Sequence, residues 1–169
     1  MYPEQSGPWA RRVHLRPVSI PSSQNDKVSM IRVLLVDDHT MLRQGLRSVI
    51  DGSHRMVVVA EAGNGVEAIE AVHHSKPDVV VMDVNMPGMN GVEATKRIKE
   101  EFPEMPIIGL SVQTGMDIVQ QMQAAGVYSY LTKESAIETL CRTIEDAAAH
   151  KERRSNDLPE TRKYCSGLT

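Results

Sequence analysis

Aromatic residues are almost missing from this chain: Trp9 and Phe102 each stand alone, and aromatics are 4% of its 169 residues. Platforms that stack single-stranded bases need exposed rings, so that class of function is excluded. Cysteine is as scarce. Cys141 and Cys165 form no CxxC or Cys/His spacing, which removes zinc sites and disulfide frameworks from consideration. No charge dominates either, with 19 basic and 22 acidic residues and a formal net charge of −3. That balance offers nucleic acid or anionic membrane no general attraction. No apolar run reaches the ~18 residues of a membrane span. The first 29 residues hold Arg11, Arg12 and Arg16 without the continuous apolar core of a secretory signal. A disordered leader is expected there, with an Arg-rich transit peptide as the alternative. The expected setting is cytoplasmic and reducing, with no membrane partner.

What remains is one domain plus tails, since the chain is short and its apolar fraction is 41%. Residues 1–29 carry Pro3, Pro8, Pro17 and Pro21 and no apolar periodicity, so they read as a disordered N-terminal extension. The folded domain is expected over 30–150, beginning at Met30. Residues 151–169 form a basic tail with Lys151, Arg153, Arg154, Arg162 and Lys163.

Within the domain, strand and helix signals alternate. Ile31–Val36 is apolar and too short for a helix, which suits a buried parallel strand. Leu42, Leu46, Val49 and Ile50 follow at helical spacing, with Gly52 as a stop. Met56–Glu61 is a second strand, and Ala68, Ile69 and Val72 mark a second helix that ends at Lys76-Pro77. Val79–Asp83, Pro106–Ser111 and Val127–Leu131 are three more strands. Between them lie a helix carrying Val92, Ala94, Thr95 and Ile98, and another from about Met116 to Ala125. A last helix is expected from Ser135 as N-cap, with Ile137, Leu140, Ile144 and Ala147 on one stripe. Five strands alternating with five helices predict a doubly wound α/β sheet with its functional loops at one edge.

Chemistry gathers at that edge. Asp37 and Asp38 follow the first strand, Asp83 ends the third, Ser111 ends the fourth and Lys133 follows the fifth. Three carboxylates and one ammonium at the carboxyl ends of parallel strands suit Mg²⁺-assisted phosphoryl chemistry. Asp38 and Asp83 suit direct ligation, with the Asn85 carbonyl as a third protein oxygen and Asp37 acting through a metal water. Asp83 is also a competent nucleophile toward a phosphoryl group. Lys133 supplies a point positive charge, and the Ser111 hydroxyl a hydrogen bond to the transferred group. Asp37 and Asp38 alone would read as N-caps. His39 has no partner histidine and reads as a surface or supporting group. His73-His74 reads as a solvated helix face, and Met86 and Met89 as shapers of a loop.

The whole of Ile31 to about Ala149 resembles a bacterial response-regulator receiver domain. The likeness is carried by Leu35-Val36-Asp37-Asp38-His39, by Asp83 through Gly91, by Leu110-Ser111 and by Tyr130-Leu131-Thr132-Lys133. The Asp-Asp-His start and Tyr-Leu-Thr-Lys end look most like the NarL/FixJ-type branch. This resemblance implies a flavodoxin-like sheet in order 2-1-3-4-5. It further implies that a sensor histidine kinase phosphorylates Asp83 with Mg²⁺ required, and that Tyr130 is a rotameric switch. Readout would run through the fourth helix, fifth strand and fifth helix to an output partner, including a homodimer formed on phosphorylation. Self-phosphorylation and autodephosphorylation would be its only catalysis.

The chain departs from the pattern in places. Glu134 follows Lys133 where many receivers have proline, and branched Val112 stands where many have a smaller residue. Asn85 and Gln113 flank the path expected for hydrolytic water. Family members commonly continue into a helix-turn-helix domain, whereas about twenty residues follow the fifth helix here. The last residues, Gly167-Leu168-Thr169, resemble the opening of that domain. Two readings stay open, a transcriptional regulator that has lost its DNA-binding domain and a chain cut just before its output domain; no DNA binding is expected from this chain alone. The competing class is an aspartate-nucleophile Mg²⁺-dependent phosphohydrolase. Such enzymes use a second aspartate two residues after the nucleophile, where this chain has Asn85.

Overall fold

The computed structural model describes residues 29–112 and 115–157. Residues 1–28, Gln113, Arg162, Lys163, Cys165 and the Gly167-Leu168-Thr169 end, all singled out above, lie outside the described residues. Five strands and five helices alternate: β1 (Ile31–Val36), α1 (Thr40–Asp51), β2 (Met56–Ala62), α2 (Gly65–Ser75), β3 (Val79–Asp83), α3 (Gly91–Glu101), β4 (Ile107–Ser111), α4 (Met116–Ala124), β5 (Ser129–Thr132) and α5 (Lys133–Asp157). Every strand pair is parallel, and the sheet order is β2-β1-β3-β4-β5. This is the flavodoxin-like doubly wound architecture expected from the sequence.

The strands are apolar throughout because both faces of the sheet are covered. Side chains alternate between faces, so Val33 and Leu35 of β1 point one way and Leu34 and Val36 the other. The first pair packs with Val79 and Val81 against Leu46 and Ile50 of α1 and Leu140 and Ile144 of α5. The second packs with Val80 and Met82 against Ala68 and Val72 of α2 and Ala94 and Ile98 of α3. A smaller cluster of Val84, Val92, Met122 and Ala125 seats α4. Asn64 and Asn90 cap α2 and α3, their side-chain oxygens accepting from Glu67 N at 3.0 Å and Glu93 N at 2.9 Å. Met86 is buried and Met89 packs beside it, so both shape the β3–α3 loop as expected.

The last two elements differ from the sequence reading. β5 begins at Ser129, not Val127: the Val127 amide still bonds back to the Met122 carbonyl of α4, and the Tyr128 amide makes the first contact with β4, at the Ile107 carbonyl. α5 starts at Lys133, and Ser135 does not cap it. Thr132 takes that place, its hydroxyl oxygen accepting from Ser135 N at 3.3 Å. The buried stripe then opens at Ala136, and Ile137 is 62% exposed. The helix also runs to Asp157, beyond residue 150.

Gly91 allows α3 to start directly under the end of β3. A Cβ there would press on the Asp83 carbonyl and lie 2.8 Å from the Val84 Cα, both backbone atoms that cannot rotate away. Gly45 is the opposite case, an exposed position inside α1 with nothing within 4 Å of its notional Cβ. Gly91→Ala is expected to cost roughly 2 kcal/mol or more in urea denaturation. Gly45→Ala is expected to stabilise the domain by roughly 0.5–1 kcal/mol in the same assay.

Candidate functional site at the carboxyl edge of the sheet

The parallel register aligns the strand ends. Val36 sits opposite Met82, Asp83 opposite Leu110, and Ser111 opposite Thr132. Asp37, Asp83, Ser111 and Lys133 therefore converge. Asp37 and Ser111 are fully buried and Asp83 is 1% exposed. The Lys133 ammonium lies between the two acids, 2.8 Å from Asp37 Oδ2 and 2.8 Å from Asp83 Oδ2.

The other carboxylate oxygens are held by the backbone. Asp37 Oδ1 accepts from His39 N at 2.7 Å, and Asp83 Oδ1 accepts from Asn85 N at 3.1 Å. The Asn85 side chain donates through Nδ2 to Ser111 Oγ at 3.3 Å, joining the ends of β3 and β4. Asp38 is partly exposed, and its Oδ1 is 2.9 Å from His39 Nδ1. His39 is the N-cap residue of α1, so neither aspartate occupies that position. Its side chain lies at the surface beside the acids, 67% exposed.

Burial pushes the Asp83 carboxyl above its usual pKa range. Hydrogen bonds from Lys133 and the Asn85 amide pull it back only in part, and the neighbouring Asp37 charge pushes it up further. Burial pulls the Lys133 ammonium down, but Asp37 and Asp83 together outweigh this and raise it. Buried carboxylates in excess over the one cation thus define the site's electrostatics.

A cation suits that excess. Asp37, Asp38, His39 and Asp83 each offer a ligand atom, all within 4.8 Å of one another. Asp38 Oδ1 is buried and makes no hydrogen bond to the backbone; its one close neighbour is the exposed His39 ring, so it still has room for a metal ion. The carboxylate oxygens are hard donors of the kind Mg²⁺ takes.

Tyr130 is half-buried beside Val84, Val92, Met122 and Ala125. It pairs across the sheet with Gly109, where a Cβ would lie 3.3 Å from the tyrosine Cδ2 and 2.8 Å from Met122 Cε. The bare glycine makes room for the ring. Val112 is 72% exposed. Glu134 lies in the first turn of α5, where an acid favours the helix dipole. His73 is exposed, as expected, yet pairs with Glu101 at 2.9 Å and meets Phe102 edge-on. Sequence reasoning passed over Arg43, whose Nη1 donates to the Asp37 carbonyl at 2.6 Å. Its only signal was helical spacing, one turn after His39.

The response regulator receiver domain family matches residues 33–145, and the chain belongs to that family. Its relatives place it with NarL/LuxR-type response regulators. LiaR of Bacillus subtilis is 40% identical over 119 residues, 70% of this chain and 56% of that protein. NarL of Escherichia coli K12 is 37% identical over 117 residues, 69% of this chain and 54% of that protein. The chain spans about half the length of the curated relatives it matches. Among solved structures, the response regulator domain of Thermotoga maritima CheB is similar, with a TM-score of 0.66 and 33% identity. That match covers 71% of this chain and 97% of that one. A LuxR-family response regulator from Aurantimonas sp. SI85-9A1 gives a TM-score of 0.69 and 33% identity, covering 79% and 99%.

The raised Asp83 pKa has a consequence for stability. The folded state holds this proton more tightly than the unfolded chain, so stability falls as pH rises above the ordinary carboxylate range. With metal chelated at pH 7, Asp83→Asn is therefore expected to raise the urea midpoint. The advantage should shrink as pH is lowered and the native Asp83 becomes protonated; a midpoint unchanged or lowered at pH 7 would refute it.

Proposed function

We propose that this domain accepts a phosphoryl group on Asp83 from the phosphohistidine of a sensor histidine kinase. The single observation behind this is Lys133 held between Asp37 and Asp83 at the carboxyl edge of a receiver fold. In the transfer, a carboxylate oxygen of Asp83 forms a bond to phosphorus as the histidine P–N bond breaks. The bond pair stays on the imidazole nitrogen, which is protonated there. Lys133 meets the incoming phosphoryl oxygens, and Ser111 donates a hydrogen bond to them. Asp37, Asp38, Asp83 and the Asn85 carbonyl would hold Mg²⁺, which when bound neutralises the equatorial phosphoryl oxygens.

Once formed, the aspartyl phosphate draws Ser111 and Lys133 toward it, and Tyr130 moves into the space vacated. The altered surface of α4, β5 and α5 is then read by an output partner, including a second copy of the domain. LiaR is a transcriptional regulatory protein and NarL a nitrate/nitrite response regulator. By that likeness this chain is the receiver part of a cytoplasmic transcriptional regulator. No helix among the described residues is long and apolar enough to cross a membrane. Receiver-family membership, together with Asn85 two residues after Asp83, favours a signalling domain over a phosphohydrolase.

Incubation with acetyl phosphate and Mg²⁺ should add the mass of one phosphoryl group. The adduct should vanish in Asp83→Asn and when the metal is chelated. Continuous turnover of phosphoesters without a lasting adduct would instead support the hydrolase.

A further inference from the structure

The turn between β1 and α1 carries both Asp37 and Asp38, and the backbone of Asp37 is held from two sides. Its N–H donates to the Ala62 carbonyl at the end of β2, 3.1 Å away. Its carbonyl accepts from Arg43 Nη1 at 2.6 Å. Arg43 does not reach this oxygen from a free position. Its Nε donates to Glu61 Oε2 at 2.8 Å, while the other Glu61 oxygen accepts from Arg47 Nη1 at 2.5 Å. Arg47 in turn contacts Asp51 at 3.3 Å, and Asp51 Oδ1 accepts the Val58 amide at 2.9 Å. A continuous polar chain thus runs from the middle of β2 to the acid turn.

We propose that Arg43 is a positioning residue for the metal-holding acid pair, fixing the Asp37–Asp38 peptide through the Asp37 carbonyl while Glu61 fixes Arg43. The peptide unit is planar, so the Asp37 carbonyl and the Asp38 amide turn together. Holding that one oxygen fixes the Asp38 nitrogen and Cα, leaving a single backbone rotation, about N–Cα, to set where its side chain leaves. Arg43 and Glu61 are sheltered, with side chains 18% and 25% exposed, whereas Arg47 is 51% exposed. The guanidinium meets two acceptors from two nitrogens of one rigid plane, which a single ammonium does not reproduce. Partners behind metal ligands commonly set affinity by about 10–100-fold when removed.

This inference rests on the reading of Asp37 and Asp38 as the metal-holding pair, and its test separates the two. Mg²⁺ affinity of the full chain would be measured by calorimetry alongside urea midpoints, with circular dichroism confirming that each variant is folded. Arg43→Met keeps the stem and loses both donors, and is expected to weaken Mg²⁺ binding by about tenfold. Arg43→Lys should rescue it only in part. Glu61→Ala, which removes the acceptor of Arg43 Nε without removing Arg43, should weaken binding in the same direction. Arg47→Met touches Glu61 but not the acid turn, so it should lower the urea midpoint yet leave Mg²⁺ affinity at the wild-type value. If Arg43→Met is less stable but binds Mg²⁺ as wild type does, Arg43 merely staples α1 to β2 and the inference falls. It falls equally if Arg47→Met weakens binding as much. If Asp38→Asn binds Mg²⁺ as tightly as wild type, the metal reading itself fails, whatever Arg43 does.

Discussion

One ammonium between two buried carboxylates is the constraint on which the arrangement rests. Asp37 and Asp83 are almost without solvent, and an unpaired ion in such a place costs several kcal/mol. The cation that relieves them comes from beyond β5, although β4 stands between β5 and β3. Two strand spacings are roughly 10 Å, so only a long, flexible stem reaches back over the end of β4. The short side chain of Ser111 leaves that path open. Lysine is the residue that fits, because a compact charge on four methylenes can sit between two oxygens from different strands.

The balance is deliberately incomplete in chemical terms. Asp37, Asp38 and Asp83 outnumber Lys133, and burial, with the Asp37 charge adding to it, raises the Asp83 pKa despite the lysine. A site satisfied by its own residues would have no use for a divalent cation or for new anionic oxygens beside the lysine. Burying these acids works against folding, and other contacts around the edge support it. Gly91 brings α3 tight beneath Asp83, Asn64 and Asn90 cap the helices flanking the edge, and the Arg43–Glu61 pair supports the acid turn.

Most of the sheet was legible in the sequence, since β1, β3 and β4 are apolar runs bounded by turn residues. The converging acids and Lys133 were legible for the same reason: each directly ends or follows a strand, so strand boundaries alone place them at one edge. The errors came where local patterns compete. Ser135 looks like an N-cap, but Thr132 takes the role because β5 runs straight into α5. Ile137 fits a helical stripe with Leu140, Ile144 and Ala147, and those three are buried, yet Ala136, one turn before Leu140, takes the inner place and Ile137 stays in water. Arg43 and Glu61 were invisible for a different reason. Their pairing spans eighteen positions of chain and two elements, and nothing in the spacing of either residue announces it.

The missing break between β5 and α5 bears on how a change at the site travels. Lys133 is at once the partner of Asp83 and the first residue of a helix that continues for 25 residues to Asp157. Tyr130, three residues earlier, lies over Gly109 and against Met122 of α4. If Asp83 is phosphorylated as proposed, the new anionic oxygens would attract Lys133, and any shift of Lys133 would act on the first turn of α5 and the end of β5 together. Packed elements of this kind move as units instead of deforming gradually. The far end of α5, tied to Pro77 through Lys151 and to Glu104 through Arg154, is where such a movement would meet resistance. The same lysine that neutralises the acids is therefore also the covalent start of the element that leads out of the domain.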